Sequence, residues 1–137
     1  MVRPSNNFGP RQHSEKFLPT IISKVKTGQK VPVYGDGQQE REWTYVKETA
    51  KATRFILENS RINEVYNISS NYHLKNIEVV RHVCELMGKD PKNHIEYVAD
   101  RPGHDFRYSV NPRKMNKLGY TVDGNFHKYI EEMLENI

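Results

Sequence analysis

A repeated change of hydrophobic period constrains this chain more than any other feature. Apolar residues fall at helical spacing, give way to a short β-rich run, and then return to helical spacing. Within residues 15–26, Phe17, Leu18, Ile21, Ile22 and Val25 make one such helical stripe. Pro19 must then sit in the first turn, and Gly28 ends the segment. A second helix is expected over 47–58, with Val46, Ala50, Thr53, Ile56 and Leu57 on its apolar side. A third spans 76–88, capped by Asn76 and stopped by Gly88. A short helix over 112–118 and a final one over 125–136, carrying Phe126, Tyr129, Ile130 and Met133, complete the set. Between them lie strand signals at 30–37, 42–46, 64–69 and 95–98. Pro32 cannot donate to a ladder, so the first of these reads as an edge strand closed by a Gly-Asp-Gly turn. The expected class is α/β, short strands alternating with helices, as one domain over 1–137.

Composition limits what such elements can bury. Hydrophobic residues make up 36% of the 137 residues and charged ones 28%. Typical globular usage is about 45–50% apolar, so the core is modest and favours additional apolar partners. The net charge of +4 favours anionic ligands. Its lysines and arginines are spread along the chain, without the basic stripe a nucleic-acid module needs. Cys84 is the one cysteine, placed in an apolar helix pattern, which indicates a small buried hydrophobe and a reducing compartment. There is no signal-peptide core and no run approaching the ~18 apolar residues of a membrane span, so a cytoplasmic protein with no membrane partner is expected.

Gly35-Asp36-Gly37 matches the first two positions of a dinucleotide loop, but the third falls on Glu40 and a β-rich segment follows. A turn is the better reading, because a dinucleotide loop must run into a helix N-terminus. The six histidines show no metal-ligand spacing and most read as surface residues. Polar groups suited to a phosphorylated ligand gather at three places. Ser5-Asn6-Asn7 offers short side chains beside a Gly-Pro turn, and Arg41 precedes Trp43. In residues 101–108, Arg101 and Arg107 are spaced to form a guanidinium clamp, with His104 beside a Pro-Gly turn.

Taken in order, "RPSNNFGPRQHSEKFLP", "VPVYGDGQQEREWTYV", "EVYNIS" and "DRPGHDFRY" resemble the C-terminal half of the NAD-dependent sugar-nucleotide dehydratases, the dTDP-glucose 4,6-dehydratases above all. These belong to the extended short-chain dehydrogenase/reductase family. The resemblance implies the substrate-binding portion of that fold, which grips a dTDP- or UDP-sugar by its diphosphate. It implies that Asn7 contacts phosphate or sugar, and that Glu15, Lys16 and Phe17 approach the base and diphosphate. Pro32 and Tyr34 would frame the nucleobase, and Arg41 would hold the diphosphate with Asn67 beside it. Arg101 and His104 would lie on phosphate and ribose, and Tyr108 near the sugar diphosphate.

The chain departs from the family where Ser69-Ser70 replace a Gly-Gly pair and Asn63 replaces a glycine. Asparagine tolerates the left-handed conformation that such a glycine adopts. The family's chemistry also needs an N-terminal Rossmann half with a Gly-rich NAD loop and a Tyr-x-x-x-Lys pair. No tyrosine here is followed by lysine four residues later. The expectation is therefore no catalytic residue and no cofactor on this chain, with NAD bound by the Rossmann half in the full-length family. The chain would open within a strand of the central sheet and be inactive alone. It would leave exposed the surfaces of helix 47–58 and strand 64–69 that normally meet the Rossmann half, for self-association or for a separate Rossmann half. A non-catalytic nucleotide-sugar-binding or regulatory protein is the alternative.

Overall fold

The computed structural model describes residues 1–61 and 63–136. Elements are numbered in chain order. The backbone divides into two compact units, the first from Met1–Gly9, Arg41–His73 and Tyr108–Ile137, the second from Pro10–Glu40 and Leu74–Arg107.

In the first unit, β1 (Val2–Pro4) pairs in parallel with β6 (Tyr66–Ile68), Arg3 standing opposite Asn67. The expected strand around Val2 and Arg3 is thus present, and it covers β6. Tyr66 and Ile68 are buried, whereas Val65 before the strand is exposed. A second parallel pair joins β2 (Asn7–Phe8) to β5 (Thr44–Tyr45). Helix α2 (Val46–Asn59) and α4 (Arg113–Leu118) supply Ala52, Ile56 and Met115 to a core shared with Tyr66, Ile68 and Val122. Helix α5 (Phe126–Glu135) is capped by Asn125, whose side chain accepts from the Lys128 N–H. Its Phe126 and Tyr129 join Phe8, Trp43 and Tyr45 in an aromatic cluster, Tyr45 and Tyr129 stacking with centroids 4.0 Å apart.

The buried face of α2 is only in part the one its apolar residues suggest, Ile56 being buried as expected. Glu48, Ala52 and Ile56 point inward, whereas Val46, Ala50 and Leu57 are exposed, Leu57 at 78%. Glu48 is buried because its carboxylate is satisfied. It accepts from the Lys51 ammonium at 2.8 Å, the Tyr120 hydroxyl at 3.1 Å and the Asp123 N–H at 3.2 Å. Burial alone would raise its pKa, but these bonds to the charged form outweigh that and hold the carboxyl below its ordinary range. Burial, then Glu48, pushes the Tyr120 hydroxyl up to about 12. A carboxyl depressed in the folded state contributes stability that is present above its unfolded pKa of about 4.3 and is lost as pH falls through the folded value. Urea unfolding across that acid range is expected to show a flatter decline for Glu48→Gln than for the parent. At neutral pH the variant should lose about 1–3 kcal/mol.

In the second unit, α1 (Phe17–Lys26) buries Leu18, Ile21, Ile22 and Val25. It starts at Phe17, not Glu15, because a helix including Glu15 would drive the Pro19 ring into the Glu15 carbonyl. Lys24 and Lys26 in its last turn suit the negative end of the helix dipole. Helix α3 (Asn76–Leu86) buries Ile77, Val79, Val80, Val83 and Cys84. Its N-cap is Lys75 and Asn76 is its first residue, since Glu78 reaches back to accept from the Lys75 N–H at 2.7 Å. Burial pushes the Cys84 thiol pKa up, as expected for an inert core cysteine.

Strand β3 (Val31–Tyr34) pairs in parallel with β8 (Ile95–Val98), following a one-turn 3₁₀ helix at Pro91–Asn93. The N–H groups of Val31 and Gly35 donate to the carbonyls of His94 and Val98, so every second position faces β8. Pro32 falls between them, where a missing N–H costs no bond. His94 is buried beside this pair, unlike the surface position expected of most histidines. The short strands β4 (Glu40–Glu42), β7 (His73–Lys75) and β9 (Arg107–Tyr108) lie where the chain passes from one unit to the other. No helix among the described residues is long and apolar enough to cross a membrane.

Candidate functional site

In the second unit, a type II turn organises the polar segment that follows β8. Arg101, Pro102, Gly103 and His104 form it, the His104 N–H donating to the Arg101 carbonyl at 3.3 Å. Proline presets the first central position, and Gly103 takes the φ of +70° that the second requires. The turn folds His104 back onto Asp100. Its Nδ1 lies 2.8 Å from Asp100 Oδ1, and the Arg101 N–H donates to the same oxygen. Gln39 Nε2 donates to Asp100 Oδ2 at 2.9 Å. The His104 bond, first among these contacts, holds the Asp100 carboxyl below its ordinary pKa. The His104 side chain is 5% exposed and meets the half-exposed Tyr34 ring edge-on, with centroids 6.1 Å apart.

Seven of the expected site residues, Glu15, Lys16, Phe17, Pro32, Tyr34, Arg101 and His104, lie in the second unit. Tyr34 and His104 are brought into contact there. Glu15 and Lys16 are exposed at the start of α1, where Lys16 is the N-cap and Phe17 the first helical residue. Arg101 is exposed on the turn. Arg107, its expected partner in a guanidinium clamp, has its Nε 3.2 Å from Glu40 Oε1. Asp100 and Gln39 join the His104 cluster without standing out in the pattern of residue types. The signal was the four-residue spacing from Asp100 to His104 across a Pro-Gly bend, which closes a loop of hydrogen-bonding length.

The other four, Asn7, Arg41, Asn67 and Tyr108, lie in the first unit. Asn7 donates from its amide to the Ser5 carbonyl at 2.7 Å, so it is oriented by the link between β1 and β2. Asn67 donates to the Asn111 carbonyl at 3.0 Å. Arg41 is half-buried on β4 rather than an open surface arginine, and Tyr108 is half-exposed. The neighbouring Glu42 carboxylate is fully buried and accepts from the Val110 N–H. Among the described residues no group of three His, Cys, Asp or Glu side chains is placed to hold a metal ion.

The pattern of the NAD dependent epimerase/dehydratase family matches residues 1–69, just over half of the chain. The chain belongs to this family. The low-salt glycan biosynthesis protein Agl12 of Haloferax volcanii is 40% identical to it over 98% of this chain and 43% of its own length. A dTDP-glucose 4,6-dehydratase of Xanthomonas campestris is 39% identical over 96% of this chain and 40% of its own. The crystal structure of the Bacillus anthracis dTDP-glucose 4,6-dehydratase, in complex with NAD, superposes with a TM-score of 0.88 at 39% identity. It covers 98% of this chain and 42% of that one. The chain therefore spans about two fifths of the length of these relatives. Over that stretch it has the mixed α/β fold of the extended short-chain dehydrogenase/reductases.

Two departures of this epimerase/dehydratase chain have structural explanations. Asn63 holds the left-handed conformation, with φ +64°. Ser69 and Ser70 direct their hydroxyls to local backbone: Ser70 Oγ donates to the Trp43 carbonyl at 2.5 Å, and Ser69 Oγ accepts from the Asn71 N–H. The Gly35–Gly37 turn leads through Gln38 and Gln39 into β4 instead of a helix, so it does not form the dinucleotide cradle of this family.

Proposed function

We propose that this chain is the nucleotide-sugar-binding portion of a dTDP-glucose 4,6-dehydratase-like enzyme of deoxysugar biosynthesis. The observation that carries the reading is similarity to dTDP-glucose 4,6-dehydratases at 39% identity, across 96% of the chain in one and 98% in another. In this proposal residues 1–137 act as one substrate-binding region. Asn7, Arg41, Asn67 and Tyr108 serve the sugar diphosphate, and Glu15, Lys16, Phe17, Pro32, Tyr34, Arg101 and His104 serve base, ribose and phosphate. NAD binds to the remainder of such an enzyme, and dehydration of the sugar requires that remainder.

Arginine suits the diphosphate role because its fork of donors matches two phosphate oxygens and stays charged at every working pH. Titration calorimetry of the chain with dTDP should give measurable binding, weakened about tenfold or more by Arg41→Ala through loss of a charge-assisted pair. Equal affinities for variant and parent would remove Arg41 from the site. Addition of a matching Rossmann half, NAD and dTDP-glucose should yield the 4-keto product, which the chain without that half should not form.

A further inference from the structure

We propose that Asp100, held by Gln39, is a positioning residue that fixes which nitrogen of His104 faces the ligand. An ionised carboxylate can only accept hydrogen bonds. Nδ1, 2.8 Å from Asp100 Oδ1, is therefore the protonated nitrogen of the neutral ring. Nε2 makes no hydrogen bond among the described residues, and in this tautomer it is an acceptor. His104 thus takes a hydrogen bond from a hydroxyl or N–H of the nucleotide, rather than giving one to a phosphate oxygen. The inference rests on the nucleotide-binding reading above, and it sharpens the part of the ligand that His104 recognises.

Three further features support it. Asp100 is oriented from both sides, its Oδ1 by the Arg101 N–H and its Oδ2 by Gln39. Gln39 is 6% exposed, so its amide is locked in place. Its nitrogen must face Asp100, since two oxygens there would repel, and this leaves Gln39 Oε1 buried with no partner among the described residues. That arrangement leaves a buried acceptor unsatisfied in order to secure the carboxylate, and a merely solvated aspartate would not need it. On the other side, the Tyr34 ring closes against the imidazole and limits its rotation.

The test is long-range proton–nitrogen correlation of the histidine rings in the ¹⁵N-labelled chain at mildly alkaline pH, together with dTDP titration. The parent is expected to show His104 as the Nδ1-protonated tautomer. Asp100→Ala should convert it mainly to the Nε2-protonated form and weaken dTDP about tenfold. The signals of the other five histidines report that the fold is intact. Asp100→Asn is the conservative rescue. Its carbonyl oxygen can still accept from Nδ1, and a flipped Gln39 amide can accept from its nitrogen. It should restore both the tautomer and affinity to within about twofold. A His104 tautomer unchanged in Asp100→Ala would overturn the proposal, as would a converted tautomer with parental affinity. A parent with the expected tautomer and no dTDP binding would support the fixed ring and overturn the nucleotide reading beneath it.

Discussion

Replacing Phe8 by alanine is expected to cost about 3–5 kcal/mol, a large share of the roughly 5–15 kcal/mol that a whole domain possesses. Phe8 is 1% exposed and stands opposite Tyr45 across the β2–β5 pair. Its ring lies 5.2 Å from Phe126, 5.4 Å from Tyr45 and 5.7 Å from Trp43, centroid to centroid. Truncation removes the hub that joins a strand near the chain start to α5 near its end. The surrounding rings are rigid and already stacked, so they cannot collapse into the space, and the full cavity penalty applies. Urea denaturation followed by tryptophan fluorescence measures the loss directly, with Trp43 as the reporter inside the affected cluster. Phe8→Leu should recover part of the loss, because it refills volume without the aromatic edge contacts. A consequence for the ligand follows from strand alternation. Phe8 points into the core, so its neighbour Asn7 points the other way, and loosening Phe8 releases the strand that aims Asn7. An Ala variant that unfolds with parental midpoint would show that the cluster is not what holds β2.

The helices whose burial is purely apolar could be read from the sequence. In α1 and α3 the spacing of Ile, Leu and Val names the buried face directly, and Gly28 and Gly88 mark where each helix stops. Helix α2 could not be read this way. Its inward face depends on Glu48, and a buried carboxylate is predicted only when its donors are known, here Tyr120 and Asp123 more than seventy residues away. Strands β7 and β9 were equally hidden, since two or three residues carry too little periodicity to register. The candidate site divides along the same line. Residue types suited to a diphosphate were visible at Asn7, Arg41 and the segment 101–108. Which of them are already engaged was not: Arg107 pairs with Glu40, and Asn7 donates to the Ser5 carbonyl. The Asp100–His104 pair depends on a turn geometry that a pattern of residue types only outlines.

In the second unit the largest effect is expected at Gly37. Gly37→Ala should destabilise by about 3 kcal/mol, the sum of two separate penalties. The residue sits at φ +72°, where a side chain costs about 1–2 kcal/mol. A Cβ built there would also lie 2.7 Å from Val33 Cγ1 and 2.8 Å from Ile77 Cβ. Neither atom is the free end of a flexible side chain: Val33 is buried on β3 and Ile77 in the first turn of α3. The Gly37 carbonyl moreover accepts from the Ile77 N–H at 3.0 Å, so the turn cannot shift without releasing the start of that helix. Overpacking of this kind adds roughly another 1–3 kcal/mol. Gly103→Ala is the matched control. It has a similar φ of +70°, but a Cβ there meets nothing within 4 Å, so it should pay the backbone penalty alone. Amide hydrogen exchange separates the two: Gly37→Ala should lower protection through α3 and β3, whereas Gly103→Ala should loosen the 101–104 turn and leave those elements protected. Equal stability losses for the two variants would mean that backbone conformation, and not the contact with Val33 and Ile77, is what requires glycine at position 37.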